Sequence, residues 1–457
     1  MISAWGGAAS LIWGPFIPLV LYYFFTVFRP QVIWKESLAA YPDFQWALMM
    51  ALPTIGATFV WRFARFIAPQ RFVNQPLPRP NIGHFVFAFF ALWITVTYLT
   101  SRNQLLAEPI FSDYRKIFLM FFISAMVLTS IRQIWIIYLV VLGSLSYIAF
   151  EVNQYYFFNN YLYLVNQGYS DIRGGGLDNN GAALMLAMGF PMCVYAWDGV
   201  KHWIRWLFPV CAMLIVHAVL TSYSRGAMLS ILITVPFYIF RCQSKRLILV
   251  GYLVGAMMLP FLVSDEIAKR FMSITSHEED ESAGSRKTTW AIAWNMANER
   301  PIFGYGIRNS SLYTYQFGAD EEGRVIHNNY LQIAADSGMI ALAGLLAIYA
   351  VCLYLAAKIR WSIPGSNSIV GLLLAAGHTL TGGRWQPISS TAGYRGKDAH
   401  LVYAMACGIE GSLICWMFGS FFLSLETFEP PYVLEILVIQ LWSILQLKRV
   451  HESHEFG

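Results

Sequence analysis

Two kinds of residue in this sequence are suited to chemistry on an oxyanion: arginines set among small residues, and a histidine beside amides. Arg173 stands in Asp171-Ile172-Arg173-Gly174-Gly175-Gly176. Glycine lets backbone approach a ligand closely, so a guanidinium beside open amides can seat a phosphate. A solvated loop arginine fits the same residues. Arg225 stands in Thr221-Ser222-Tyr223-Ser224-Arg225-Gly226-Ala227, between two apolar runs. Arginine at membrane depth is costly and faces a polar cavity or a partner, unless it snorkels to headgroups. Its neighbours Ser222, Ser224 and Gly226 suit a tight anion-binding turn better than a lipid anchor. His327 opens an apolar run directly after a long polar stretch. Imidazole titrates near neutral pH, which suits a general base, although a lone histidine more often serves structure.

Other constellations are weaker. No second His or Cys lies at metal-ligand spacing beside His327, and no CxxC occurs among the six cysteines, so neither a metal site nor a disulfide framework is expected. The run His277-Glu278-Glu279-Asp280-Glu281 reads as solvated charge. Thr381-Gly382-Gly383-Arg384 lacks the lysine of a phosphate loop.

These residues need elements to hold them, and composition says which. Of 457 residues, 57% are hydrophobic and 12% charged, against about 25% charged in soluble domains. Mean hydropathy is +0.50. That excludes a disordered chain, a coiled coil and an ordinary cytosolic enzyme. The net charge of +5 is too small and too dispersed to imply nucleic acid. Apolar runs open near residues 8, 45, 82, 116, 133, 180, 203, 226, 247, 328, 403 and 431. Each is long enough for a helix across a bilayer, which takes about 20 residues. The expected fold is therefore an all-α polytopic membrane protein of about 12 transmembrane helices, a single domain over 1–457. The first run lacks a basic leader and is expected to be a retained helix. A tight turn is expected at Arg132-Gln133. With both termini inside, most short-loop Lys and Arg fall on the cytoplasmic side. The loop over 152–179, the turn at 221–227 and the long loop over 265–326 then share the outer face. A polar segment over 362–400 lies inside. Few interior charges are expected, with Glu410 the main one.

Within the long loop, Trp290, Ala293, Trp294 and Ala297 recur at i, i+3, i+4 and i+7, which predicts an amphipathic helix over 285–298. Pro301 ends it and Gly304-Tyr305-Gly306 supplies a turn. Such a helix lies on the membrane surface or forms a lid over a site at the lipid boundary.

His327-Asn328-Asn329-Tyr330-Leu331-Gln332, followed by Gly338 and an apolar span, resembles the hallmark of the O-antigen ligase family. Matching pieces come in the family's order: Ser224-Arg225-Gly226-Ala227, Trp290, and Pro301-Ile302-Phe303-Gly304-Tyr305-Gly306. Arg173 followed by Asp178-Asn179-Asn180, and Glu410-Gly411-Ser412-Leu413 followed by Phe421-Phe422-Leu423-Ser424, resemble the exosortase-associated subgroup of probable O-glycosylation ligases. The resemblance covers roughly residues 150 to 440. It implies a GT-C-like membrane fold in a bacterial inner membrane, with the active site facing the periplasm. It implies metal-independent transfer of a glycan from undecaprenyl pyrophosphate to a hydroxyl on lipid A core, another glycan or protein Ser/Thr, with no cofactor. Partners would be that lipid-linked donor, the acceptor and membrane lipids. Residue by residue, it implies Arg225 and His327 as catalytic and Arg173, Arg225 and Ser224 as pyrophosphate ligands. Asn328, Asn329 and Trp290 are secondary, and no metal ligand is implied. A single displacement predicts inversion. An O-antigen-type polymerase shares the donor and stays open as an alternative. A solute transporter fits less well, because transporters place ionisable groups and broken helices near mid-membrane, often in inverted repeats.

Overall fold

Polar N-caps set where the apolar runs begin to coil. Asn81 accepts from the Gly83 amide at 2.8 Å while His84 Nδ1 accepts from the Asn81 amide at 3.1 Å. That reciprocal box opens α3 (Ile82–Leu99). Asn103, Asp178 and Asn328 cap α4 (Gln104–Val127), α6 (Asn179–Gly199) and α10 (Asn329–Trp361), each side chain accepting from a first-turn amide. The computed structural model describes residues 14–35, 37–38, 44–72, 76–170, 176–241, 281–319, 325–363 and 397–455. The remaining long helices are α1 (Phe16–Phe28), α2 (Trp46–Ile67), α5 (Ile131–Asn159), α7 (Leu207–Leu220), α8 (Arg225–Arg241), α9 (Glu281–Glu299), α11 (Ala399–Gly419) and α12 (Glu429–Glu455). The two described strands, Tyr169–Ser170 and Gly176–Leu177, pair antiparallel with Tyr169 opposite Leu177.

The protein is an all-α polytopic membrane protein. Among the described residues, nine helical segments are long and apolar enough to cross a membrane, fewer than the expected twelve. Two differences have visible causes. The run expected at 116 begins at Gln104, and its first turns carry Glu108, Asp113, Arg115 and Lys116. Arg115 pairs with Glu108 at 2.5 Å and Lys116 with Asp113 at 2.8 Å, all partly exposed. The run from 226 is shorter, apolar from Arg225 to Tyr238. The run expected near 247 lies outside the described residues. The expected turn at Arg132-Gln133 is also displaced. Ser130 caps α5, with Gln133 Oε1 accepting from the Thr129 and Ser130 amides at 2.8 and 3.2 Å. Arg132 and Gln133 therefore sit in the first turn of α5.

The core is a seam between α6 and α11. Nearly all of α6 is buried, and its sequence accordingly has no polar face. Small residues let the two backbones approach. A Cβ on Gly199 would lie 2.5 Å from Ala404 Cβ, and one on Gly411 would lie 2.8 Å from Pro191 Cβ. Interior charge exceeds the expectation. Besides Glu410, the carboxyls of Asp336, Glu426 and Glu435 are buried. Both Glu435 oxygens lack a hydrogen-bond partner among the described residues.

The run from 328 is not one straight span. Gly338, at φ 84 and ψ 169, breaks α10 into segments 329–337 and 339–361. The second segment has 23 residues, about 35 Å of helix, enough to cross alone. Carbonyls released at the break find partners, as buried backbone must. Tyr305 N donates to Ala335 O at 2.9 Å and Gly306 N to Asp336 O at 2.8 Å. Trp93 Nε1 donates to Ser337 O at 3.2 Å, and Met339 N to Pro301 O at 2.7 Å. The expected Gly304-Tyr305-Gly306 turn thus docks on the break, with both glycines at positive φ. Segment 364–396 of the polar stretch 362–400 lies outside the described residues, as do 265–280 and 320–324 of the long loop.

Candidate functional site

The starts of α6 and α8 are tied together. Asn179, the first residue of α6, donates from Nδ2 to Ser222 O at 3.0 Å. Asp178 accepts from Gly181 N at 2.7 Å, which fixes where α6 begins. In the other strand of the turn, Ser222 Oγ accepts from Ser224 N at 3.2 Å, and Ser224 O accepts from Met228 N at 3.1 Å. Tyr223 between them holds φ at 58°, a left-handed conformation rare for an aromatic residue. Such strain tends to persist where a site demands it. Two helix N-termini, each with the partial positive charge of its dipole, thereby line one cleft.

That cleft has a volume of about 190 Å³ and is lined by Asn179, Asn180, Tyr223, Ser224, Arg225 and Gly226, with Arg286 and Phe422 opposite. Arg225 is the first residue of α8, and Arg286 comes from α9. Both side chains are partly buried. The amphipathic helix expected over 285–298 is α9, but its buried stripe is rotated from the expected one. Thr289, Ile292, Ala293, Met296 and Ala297 are buried, whereas Trp294 is 51% exposed. The stripe packs on Tyr305, Ile326 and Ala335, so α9 rests on the flanks of His327. Trp290, one turn after Arg286, lies 6.4 Å from the Phe422 ring. Its Nε1 is buried without a hydrogen-bond partner among the described residues.

His327 precedes the cap of α10 with φ at 53°, again left-handed. Asn328 Oδ1 accepts from Tyr330 N and Leu331 N, both at 3.0 Å. Asn329 is buried, with Oδ1 unpaired among the described residues. The Tyr330 hydroxyl donates to Met417 O at 2.7 Å, and its ring lies 4.5 Å from Phe421. The 3-10 turn Ser420–Phe422 thus has His327's helix on one side and the arginine cleft on the other. His327 itself is partly buried and is not among the described residues lining the cleft. Of the expected site residues, the structure brings Ser224 and Arg225 into one cleft and sets Trp290 against its wall. Asn328 and Asn329 serve the start of α10. Arg173 lies outside the described residues.

Sequence reasoning did not single out Arg286. Its signal was the spacing to Trp290, one helical turn, which puts both on one face of α9. It also passed over Asp336. That carboxylate accepts from Gln332 Nε2 at 2.6 Å and Ser310 N at 2.8 Å, while Gln332 Nε2 donates to Ser310 Oγ at 3.0 Å. Ser424 donates to Gln332 Oε1 at 3.4 Å. This network fastens segment 329–337 to the long loop and to the chain beyond the cleft wall. Beside it, burial first and the Asp336 carboxylate second push the Glu426 carboxyl up to about 8, against the pull of Arg308. No group of three or more His, Cys, Asp or Glu able to hold a metal ion occurs among the described residues. The polar groups converging on the cleft are guanidiniums, amides and hydroxyls, a donor set that fits an anion.

Comparison with known proteins gives two likenesses. Residues 210–346 match the family model described as O-antigen ligase, a stretch that takes in Ser224, Arg225, Arg286, Trp290 and His327. The chain is also similar to the O-antigen ligase of Salmonella typhimurium strain LT2, 26% identical over 171 residues. That alignment covers 35% of this chain, which spans 42% of the length of that relative. Both matches support the O-antigen ligase family.

Proposed function

We propose that this membrane protein is a glycan ligase that transfers a glycan from a polyprenyl pyrophosphate to an acceptor hydroxyl. The observation that carries the reading is the cleft where Arg225 and Arg286 meet at two helix N-termini. A glycosyl pyrophosphate is already a competent leaving group. What its departure requires is charge stabilisation, which guanidinium forks and helix-terminal amides supply from fixed positions. Arg225 and Arg286 would hold the pyrophosphate, with Ser224 and the α6 and α8 amides around it. Arg173 is proposed as a further ligand on the grounds of its glycine-rich neighbourhood.

His327 would act as the base. The acceptor oxygen forms its bond to the anomeric carbon as the proton passes from that oxygen to the imidazole. The bond from the anomeric carbon to the phosphate oxygen breaks, and its electron pair leaves with the pyrophosphate. One displacement inverts the anomeric centre, and no carboxylate pair lines the cleft among the described residues to support a covalent intermediate. The polyprenyl tail would lie against the apolar helix faces, with the cleft opening to the periplasmic side of a bacterial inner membrane. The likeness to an O-antigen ligase supports a membrane glycan ligase or polymerase.

The test is a reconstituted transfer assay with undecaprenyl-pyrophosphate glycan, candidate acceptor lipids, glycans and peptides, and a chelator. The reading expects glycosylated acceptor together with released undecaprenyl pyrophosphate, both lost in His327→Ala and Arg225→Ala. Lengthened donor in place of glycosylated acceptor would identify a polymerase. Absence of any transfer from intact donor by folded protein would overturn the enzyme reading.

A further inference from the structure

We propose that the end of the helix bundle opposite the cleft holds a second anion, a phosphate group seated on Arg241 and Arg360. α8 begins at the cleft with Arg225 and ends at Arg241 after 17 residues, about 25 Å of helix. α10 likewise starts beside the cleft and carries Arg360 in its last turn. Both guanidiniums converge on Glu410 of α11. Arg241 Nη1 lies 2.7 Å from Glu410 Oε2, and Arg360 Nε lies 2.9 Å from the same oxygen. Arg360 Nη2 donates to Glu410 Oε1 at 3.0 Å. The Arg360 and Glu410 side chains are each 6% exposed, and Arg241 is 15% exposed.

One carboxylate between two guanidiniums leaves a positive charge uncompensated where water is scarce. A buried charge without its partner is costly, so the cluster calls for a further anion. No other acid forms an ion pair with either arginine among the described residues. Along the chain from each arginine, basic residues come before any acid. Residues 242–250 contain no Asp or Glu and add Lys245 and Arg246. Residues 361–397 contain no Asp or Glu and add Arg384, Arg395 and Lys397. Arg241 spends one N–H group on Glu410, and its guanidinium lies 4.6 Å from the Phe237 ring centre. Its remaining donors form the fork that phosphate oxygens fit, while Glu410 holds it in place. The seat lies far from the cleft, so its occupancy bears on the packing of α8, α10 and α11 rather than on the transferred group. The phosphate comes from a lipid headgroup or from a soluble phosphate ester.

The experiment measures the thermal unfolding midpoint of the purified full chain in detergent. Phosphatidylglycerol, diacylglycerol with the same tails, and inorganic phosphate are titrated separately. A ligand bound by the folded state alone raises the midpoint. Phosphatidylglycerol is expected to raise it and diacylglycerol to leave it unchanged. A matching rise with inorganic phosphate assigns the seat to a soluble anion, and its absence assigns it to a lipid. Arg241→Gln should abolish the rise. Arg241→Lys keeps the charge and should raise the half-saturating concentration roughly tenfold. An equal rise with diacylglycerol, an unchanged response in Arg241→Gln, or no response to either phosphate would overturn the proposal.

Discussion

Arg225 and Arg286 reach one cleft from helices far apart in sequence, so each should matter separately. Arg286→Gln should lower the transfer rate by ~10²–10³, the scale of losing one preorganised charge donor, and Arg225→Gln should do the same. A steady-state assay on both variants checks this. Glu426 offers a different test. Its pKa is raised from 4.5 to about 8, so the folded state binds more protons than the unfolded between those values. Stability is then fully present below the unfolded value and declines as pH rises through the folded one, by at most about 1.4 kcal/mol per pH unit. Glu426→Gln should flatten that decline in unfolding curves taken between pH 5 and 9. A slope unchanged by the substitution would show that another group carries it. The two arginines differ in how readily the sequence discloses them. Arg225 is visible because a short polar turn between two apolar runs is an unusual place for a charge. Arg286 sits in Ser285-Arg286-Lys287-Thr288-Thr289, which reads like any solvated stretch. Only the packing of α9 on the flanks of His327 brings it to the cleft that Arg225 lines.

Helices set these side chains, and their ends matter more than their middles. Most spans can be read from apolar run length alone, because a bilayer demands about 20 such residues. Their boundaries follow from single polar caps, as at Ser130, which moves the expected turn away from Arg132-Gln133. The break at Gly338 could not be read in this way. A lone glycine in an apolar helix is ordinary, and what fixes its positive φ is a turn at Pro301-Ile302 far back in the chain. Its added Cβ would collide with Ile302 O. Gly338→Ala should therefore destabilise the fold by ~1–3 kcal/mol. It should also loosen segment 329–337, which hydrogen exchange at Tyr305 and Gly306 would report. Asn328→Ala removes the cap beside His327 and should cost ~1 kcal/mol, measured by denaturant titration. Trp294 shows the limit of periodicity. The i, i+3, i+4, i+7 pattern found α9 but chose a stripe one position away from the buried one, because tryptophan counts as apolar whether it faces core or lipid.

At the scale of the molecule, two clusters of arginine lie at opposite ends of one bundle, joined by α8. One faces a cleft with helix N-termini and no acid among the described residues of its lining; the other closes on Glu410. The α6–α11 seam holds the frame between them, so Gly411→Leu should disturb both ends together, seen as a lower unfolding midpoint and lost transfer. The proposed function divides the labour: the arginines would hold the pyrophosphate, and His327 would move the proton. Measuring donor binding apart from turnover tests it most directly. Undecaprenyl-pyrophosphate glycan would be titrated onto wild type, Arg225→Gln, Arg286→Gln and His327→Gln, followed by single-turnover transfer on each. Donor binding should weaken roughly 10- to 100-fold in both arginine variants. His327→Gln should bind donor near-normally but transfer nothing. Unchanged donor binding in the arginine variants, or full transfer by His327→Gln, would contradict that division.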